Sequence, residues 1–120
     1  METHSPMLDI QEQSGITVIT VNQVDLFSQT VITEIMDELY STIDNAPQLQ
    51  IVIDLANIKA IGSIMLGSLN ALRRTIKDKD GRMALTSLAP AVRESFDISN
   101  LSSLFQIYDN VEDAVTGITG

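Results

Sequence analysis

The chain has 120 residues, with 16 acidic and 7 basic side chains and a formal charge of −9 at pH 7. This length fits one domain with a single hydrophobic core, and the acidic balance argues against a nucleic-acid partner, which would require a basic face. Because there is no cysteine and only one histidine, we expect no zinc site, no thiol nucleophile and no His-based catalytic triad.

The first six residues, which include His4, are expected to form a disordered leader. They contain no basic region followed by an apolar stretch, so they do not read as a secretory signal. No apolar run approaches the roughly 20 residues that a membrane-spanning helix needs. We therefore expect a cytoplasmic protein with one domain over residues 7–120, no insertion into a membrane, no bound metal and no cofactor.

The N-terminal third predicts a hairpin followed by a helix. Residues 7–10 and Ile16–Val21 read as two strands joined around Ser14-Gly15. Apolar side chains then recur every fourth residue and predict a helix with one face on the core: Val31, Ile35, Leu39 and Ile43. This helix is expected to end before Pro47, because proline blocks its continuation.

The central third predicts a buried strand, a second helix and another strand. Residues 50–55 contain a β-branched run of the kind found in central strands. The apolar stripe of the second helix comprises Met65, Leu69, Leu72 and Ile76. Arg73, Arg74 and Lys77 fall near its end, where cations complement the helix dipole, and we interpret them as a solvated helix end. Asp80-Gly81 then turns the chain into a strand over residues 82–87.

The C-terminal third predicts two more helices with a short strand between them. Pro90 suits the first turn of a third helix, and residues 104–107 read as the strand. Asp109 followed three residues later by Glu112 resembles a capping box for the final helix. Helices alternating with strands after an initial hairpin predict an α/β fold, with a mixed sheet of about five strands and about four helices.

Ser63 stands where the loop after the buried strand meets the second helix, and two interpretations stay open. Its hydroxyl can cap exposed backbone N–H groups, a contribution of about 1 kcal/mol, or it can carry a phosphate, which the positive end of a helix tolerates. Gly62 is compatible with both, because it adds backbone freedom and leaves the hydroxyl exposed. Asp25 precedes the first helix and is expected either to cap it or to belong to a contact surface.

Asp54 ends a hydrophobic strand, as the phospho-accepting aspartate of a response-regulator receiver does. Receivers also hold magnesium with an acidic pair after the first strand, and they use a lysine after the last strand. Here the first strands are followed by Asn22, Gln23 and a single aspartate, and residues 104–108 contain no lysine. A receiver-like phosphoaspartate domain is therefore the less favoured alternative, and we expect Asp54 to bond to nearby backbone.

Four segments, taken in order, resemble the STAS domain of bacterial anti-sigma factor antagonists. The turn Asn22-Gln23-Val24-Asp25 looks like the family's Gly-x-Leu-Asp segment. The segment IVIDLANIKAI looks like the family's central strand and the loop that follows it. The family's Asp-Ser-Ser/Thr-Gly-Leu-Gly and following helix correspond to GSIMLGSLNALRR. The closing helix–strand–helix pattern is similar to VRESFDISNLSSLFQIYDNVEDAV. The resemblance covers about residues 8–115 and implies the STAS fold.

The resemblance implies a regulatory switch without catalysis in this chain. An antagonist of this family binds an anti-sigma factor, usually itself a serine kinase, which then phosphorylates the serine that Ser63 matches and releases its partner. The implied partner surface comprises Asp25, Gly62, Ile64 and Gly67. Because Gly62 replaces the family's aspartate, a non-phosphorylated STAS scaffold or a transporter-associated subunit stays the leading alternative, and a homo-oligomer also stays open.

Overall fold

The structure, a computed structural model, describes residues 2–4, 7–46 and 48–119. Its strands are β1 (Glu2–His4), β2 (Leu8–Gln13), β3 (Ile16–Val21), β4 (Asp25–Leu26), β5 (Gln50–Asp54), β6 (Ala60–Ile61), β7 (Arg82–Thr86) and β8 (Gln106–Tyr108). Its helices are α1 (Gln29–Asn45), α2 (Ser63–Asp78), α3 (Pro90–Ile98) and α4 (Val111–Thr119), with a 3₁₀ turn at Ser102–Leu104. Within this described part, every helix is too short or too polar to cross a membrane.

The predicted hairpin is present, with a two-residue turn between β2 and β3. Gln13 pairs with Ile16 across the turn, and the two turn residues Ser14 and Gly15 have positive φ values of 53° and 81°. A two-residue turn with both φ values positive matches the right-handed twist of the flanking strands. The turn chemistry therefore sets the register of the whole hairpin.

The main sheet has the order β1-β2-β3-β5-β7-β8. β2 pairs antiparallel with both β1 and β3, and β3, β5, β7 and β8 are mutually parallel. The predicted mixed sheet with an N-terminal hairpin and four helices is confirmed. The described residues contain a sixth strand in this sheet, which the sequence did not predict.

That extra strand comes from the segment predicted to be a disordered leader. Glu2, Thr3 and His4 pair with Gln11, Ile10 and Asp9 of β2. An edge strand offers a row of free backbone N–H and C=O groups, so a neighbouring segment can add to it without a hydrophobic pattern of its own. The prediction of disorder does not hold for Glu2–His4, whereas residues 1, 5 and 6 lie outside the described residues.

Alternation along β5 separates the interior into two layers. Ile51 and Ile53 join the larger cluster, which includes the apolar stripes of α1 and α2. Val52 points to the opposite face and packs with Ala114 and Ile118 of α4. Successive strand residues point to opposite faces, so the continuous apolar run reflects burial on both sides. The predicted stripe of α2 is confirmed, because its four residues are all buried: Met65, Leu69, Leu72 and Ile76.

Two predicted boundaries in the C-terminal third were wrong. The last strand runs over Gln106–Tyr108 rather than residues 104–107, because the chain first makes the 3₁₀ turn, in which Leu104 N donates to Leu101 O at 3.0 Å. The final helix is capped by Asn110, whose Oδ1 accepts from Asp113 N at 2.8 Å, and Asp109 is not the cap. The predicted side-chain cap therefore exists, but it comes from Asn110, one residue after Asp109. The end of α1 at Asn45 agrees with the prediction, and Pro47 itself lies outside the described residues.

Candidate functional site

The loops after β3 and β5 meet beside the start of α2 and hold it against the sheet. Their short strands β4 and β6 pair in parallel, with Asp25 opposite Ala60 and Leu26 opposite Ile61. Gly62 N extends this pairing by donating to Leu26 O at 3.0 Å. Two segments more than thirty residues apart in the chain are thereby brought together at one helix end.

Ser63 is the first residue of α2 and not its N-cap. The N-cap is Gly62, which has no side chain to accept a hydrogen bond, and the first helical bond runs from Leu66 N to Gly62 O at 3.1 Å. Ser63 is exposed, and within the described part of the chain its hydroxyl caps no backbone N–H group. The capping interpretation of Ser63 is therefore wrong.

The start of α1 shows what a capping serine looks like in this protein. Ser28 has extended backbone geometry, and its Oγ accepts from Val31 N at 3.4 Å. The suggestion that Asp25 caps α1 is also wrong, because pairing in β4 keeps Asp25 three residues before that cap. Asp25 is instead exposed at the surface beside β6.

A phenylalanine that the sequence analysis did not single out lies against Gly62. A Cβ placed on Gly62 would come within 2.9 Å of Phe27 Cδ1, a closer approach than side chains normally make. The family pattern has an aspartate at this position, and its side chain would clash with this ring. Phe27 is itself 58% exposed, so its ring covers the glycine while presenting its other face to solvent.

Exposed apolar side chains lie on the two loops and the helix start that meet at Gly62 and Ser63. Ile64 is 49% exposed and Val24 61% exposed, and Gly67 lies one helical turn after Ser63 on the same face. We define the contact face by its residues: Val24, Asp25, Phe27, Gly62, Ser63, Ile64 and Gly67. This set takes in the four residues that the resemblance implies for partner binding, which stay a prediction. Phe27 could not be identified from the sequence, because an aromatic residue next to an apolar one is typical of a buried core. A loop has no periodic pattern that would show whether its side chain is exposed.

Asp54 serves the turn that follows β5. Its Oδ1 accepts from Ala56 N at 2.9 Å, and its Oδ2 accepts from Thr20 Oγ1 at 3.5 Å. The expected bond to nearby backbone is confirmed. Among the residues that the structure describes, no group of three or more His, Asp or Glu side chains could hold a metal. The sheet also begins with an antiparallel hairpin, unlike the doubly wound order of receivers.

The loops that carry the contact face are tied together by polar contacts as well. Asn57 Nδ2 donates to Asn22 Oδ1 at 3.2 Å, and Lys59 N donates to Val24 O at 2.5 Å. These bonds link the loop after β5 with the loop after β3. The position of Val24 is therefore set by backbone pairing, even though its side chain is largely solvated.

Comparison with known proteins agrees with this architecture. The family model of the STAS domain matches residues 7–114. The chain belongs to the STAS domain family. The anti-sigma F factor antagonist of Paenibacillus polymyxa is 26% identical over 110 residues, which are 91% of this chain and 92% of that protein. The predicted family is thereby confirmed, and the relatives of this STAS protein include anti-sigma factor antagonists.

Solved structures share the fold at low sequence identity. An anti-sigma factor antagonist from Mycobacterium paratuberculosis superposes with a TM-score of 0.81 at 21% identity, covering 95% of this chain and 94% of that one. The anti-sigma factor antagonist SpoIIAA in its unphosphorylated form gives a TM-score of 0.77 at 18% identity, with 94% and 96% covered. The STAS fold is thus reproduced over nearly the whole chain.

Proposed function

We propose that this STAS protein is a cytoplasmic, non-catalytic anti-sigma factor antagonist that binds an anti-sigma factor through the contact face. The observation that carries the proposal is the set of exposed apolar side chains around an exposed helix-start serine. Clustered apolar groups at a surface mark interaction sites, and aromatic residues such as Phe27 are favoured anchors of protein interfaces. The family relationship to anti-sigma factor antagonists supports the kind of partner.

We propose further that the anti-sigma factor is a serine kinase and that it phosphorylates Ser63. The support is structural availability: the hydroxyl is exposed and is not needed as a helix cap. A phosphate adds about −1.5 to −2 charges at neutral pH. On a face that also carries the exposed Phe27 and Ile64 side chains, that charge would have to lose its water on docking, which opposes the complex. A penalty of only about 1.4 kcal/mol weakens affinity tenfold.

A second candidate is a STAS scaffold that binds its partner without phosphorylation, for example as a subunit associated with a transporter. The contact between Phe27 and Gly62 favours it, because the ring occupies the space of the family's acidic neighbour. A kinase that reads that acid would recognise Ser63 poorly. The binding surface is the same in both candidates, so only the effect of the phosphate separates them.

Phosphorylation is tested by incubating the protein with its candidate anti-sigma kinase and ATP, followed by intact-mass measurement. We expect the mass of one phosphate on the wild type and none on Ser63→Ala. Binding is tested by calorimetry with wild type, Ser63→Asp and the control Ser41→Asp. Ser41 is an exposed residue near the other end of α1, so it adds the same charge far from the contact face.

Each result selects one account. Weaker binding by Ser63→Asp with unchanged binding by Ser41→Asp supports the switch. Equal binding by all three proteins, together with no phosphate on the wild type, supports the scaffold. Loss of binding by both aspartate variants would mean that net charge and not the contact face controls association, and the proposed surface would then be abandoned.

A further inference from the structure

A second surface feature lies at the opposite end of α2, where the edge strand of the sheet is short. β7 begins at Arg82, whereas β8 pairs with it only from Ala84 onward, so the start of β7 borders a notch. The notch opens into a groove of about 540 Å³. The lining residues come from α2, β7, β8, α4 and the turns between them.

The groove concentrates positive charge in an acidic protein. Three of the seven basic residues of the chain line it, namely Arg73, Lys77 and Arg82. None of the described residues that line it is acidic, although acidic side chains outnumber basic ones in the chain by 16 to 7. The cluster Arg73, Arg74 and Lys77 was predicted to be a solvated helix end, and the structure places Arg73 and Lys77 on the groove. The fold brings them together around one concave surface.

Two of these cations are held in place by contacts within the protein. Arg82 donates from a terminal guanidinium nitrogen to Ile118 O at 2.9 Å, a carbonyl in the last turn of α4. The Cζ of Arg73 lies 5.8 Å from the centroid of the Phe105 ring, and its Nε donates to Asn70 Oδ1 at 3.1 Å. Each guanidinium has five N–H donors, so both retain donors for a ligand. Ordering these side chains in advance lowers the entropic cost of binding.

The remaining lining suits a ligand with both an anionic and an apolar part. Leu104 supplies exposed apolar surface beside the buried Ile76 and Met83, and Tyr108 and Gln106 supply a hydroxyl and an amide. The volume of about 540 Å³ lies within the range of small-molecule sites. Guanidinium groups bind phosphate oxygens through paired N–H donors, and lysine adds a point charge. We infer that this groove, the cationic groove, binds a small organic phosphate.

The cationic groove is separate from the contact face. Arg73 and Lys77 follow Ser63 by ten and fourteen residues on one helix, which corresponds to about 15 and 21 Å along its axis. The inference therefore does not rest on the proposed function. Either can fail without the other, because ligand binding at the groove is measured without any protein partner.

The test is a titration of ¹⁵N-labelled protein followed by amide chemical shifts, with ADP and fructose 1,6-bisphosphate as probes and adenosine as an uncharged control. We expect shifts centred on Lys77, Gly81, Met83 and Gln106 with the phosphates and none with adenosine. Lys77→Gln should weaken binding severalfold, because an exposed cation is lost from the groove without disturbing the core. Arg93→Gln is the matched control, since it removes one charge from an exposed position on α3.

The outcomes are unambiguous. Groove-centred shifts that Lys77→Gln weakens and Arg93→Gln leaves unchanged support the inference. If neither phosphate shifts groove amides at about 10 mM, a concentration that populates even a site with a Kd of about 1 mM, the inference is overturned. It is also overturned if Arg93→Gln weakens binding as much as Lys77→Gln, because that pattern indicates attraction to overall charge and no site.

Discussion

The serines at the starts of α1 and α2 form a matched pair that tests whether the Ser63 hydroxyl is free. Ser28 accepts from Val31 N at 3.4 Å, whereas Ser63 lies one position inside its helix and caps nothing in the described structure. We therefore predict that Ser28→Ala destabilises the protein and that Ser63→Ala does not. The prediction concerns the free protein, so it needs neither a partner nor a kinase.

The expected size of each effect follows from the geometry. Replacing a capping serine by alanine costs about 0.5–2 kcal/mol, and a 3.4 Å bond is longer than the usual 2.7–3.2 Å range. We expect Ser28→Ala to lower the free energy of unfolding by about 0.5–1 kcal/mol, in the lower half of that range. Ser63→Ala should change it by less than about 0.5 kcal/mol, with a tendency to raise it, because alanine has the higher helix propensity.

The measurement is urea unfolding followed by far-ultraviolet circular dichroism, since the chain has no tryptophan. Equal m-values for the three proteins would show that the midpoint shifts report stability alone. For a chain of this size, 1 kcal/mol corresponds to about 3–5 °C in Tm, so Ser28→Ala should also melt a few degrees lower. If Ser63→Ala loses as much stability as Ser28→Ala, the Ser63 hydroxyl is a structural cap, and the argument for its availability to a kinase is refuted.

Four further predictions concern the contact face and the turn after α2. Ser63→Asp should raise the free energy of unfolding by about 0.3–1 kcal/mol, because a carboxylate in the first turn complements the helix dipole. The same variant should bind the partner more weakly. A lower melting temperature, or calorimetry that shows stronger binding, would contradict this prediction. Phe27→Ala should reduce partner affinity by about tenfold or more with little change in Tm, and unchanged affinity in calorimetry would remove Phe27 from the interface. Gly81→Ala should cost at least about 1–3 kcal/mol, because its Cβ would lie 2.7 Å from Leu49 O. Gly67→Ala should raise the free energy of unfolding by up to about 1 kcal/mol, because nothing lies within 4 Å of the added Cβ. Urea unfolding that shows the same change in stability for both glycine variants would count against this reasoning.

The site was only partly predictable because its parts depend on different ranges of interaction. Gly62, Ser63 and Ile64 could be placed at a helix start from local pattern, since helix boundaries follow from residues a few positions apart. Phe27 could not be placed with them, because its position depends on the pairing of β4 with β6. The same limitation applies to the cationic groove, because Arg82 bonds to Ile118 O of α4 and the groove is completed by Gln106 and Tyr108 of β8, which are distant in the chain.

The amino-acid sequence by itself determined the periodic features of this STAS protein. Its apolar stripes, its β-branched central strand and its two-residue hairpin turn are properties of neighbouring residues, and their order predicted the mixed α/β sheet. The tertiary structure decided which side chains at the ends of those elements meet. Ser63 is not the helix cap because backbone pairing between two loops places Gly62 at the N-cap of α2. Glu2–His4 forms a strand because the edge of β2 offers it hydrogen bonds. These outcomes depend on partners distant in the chain, and no local pattern records them.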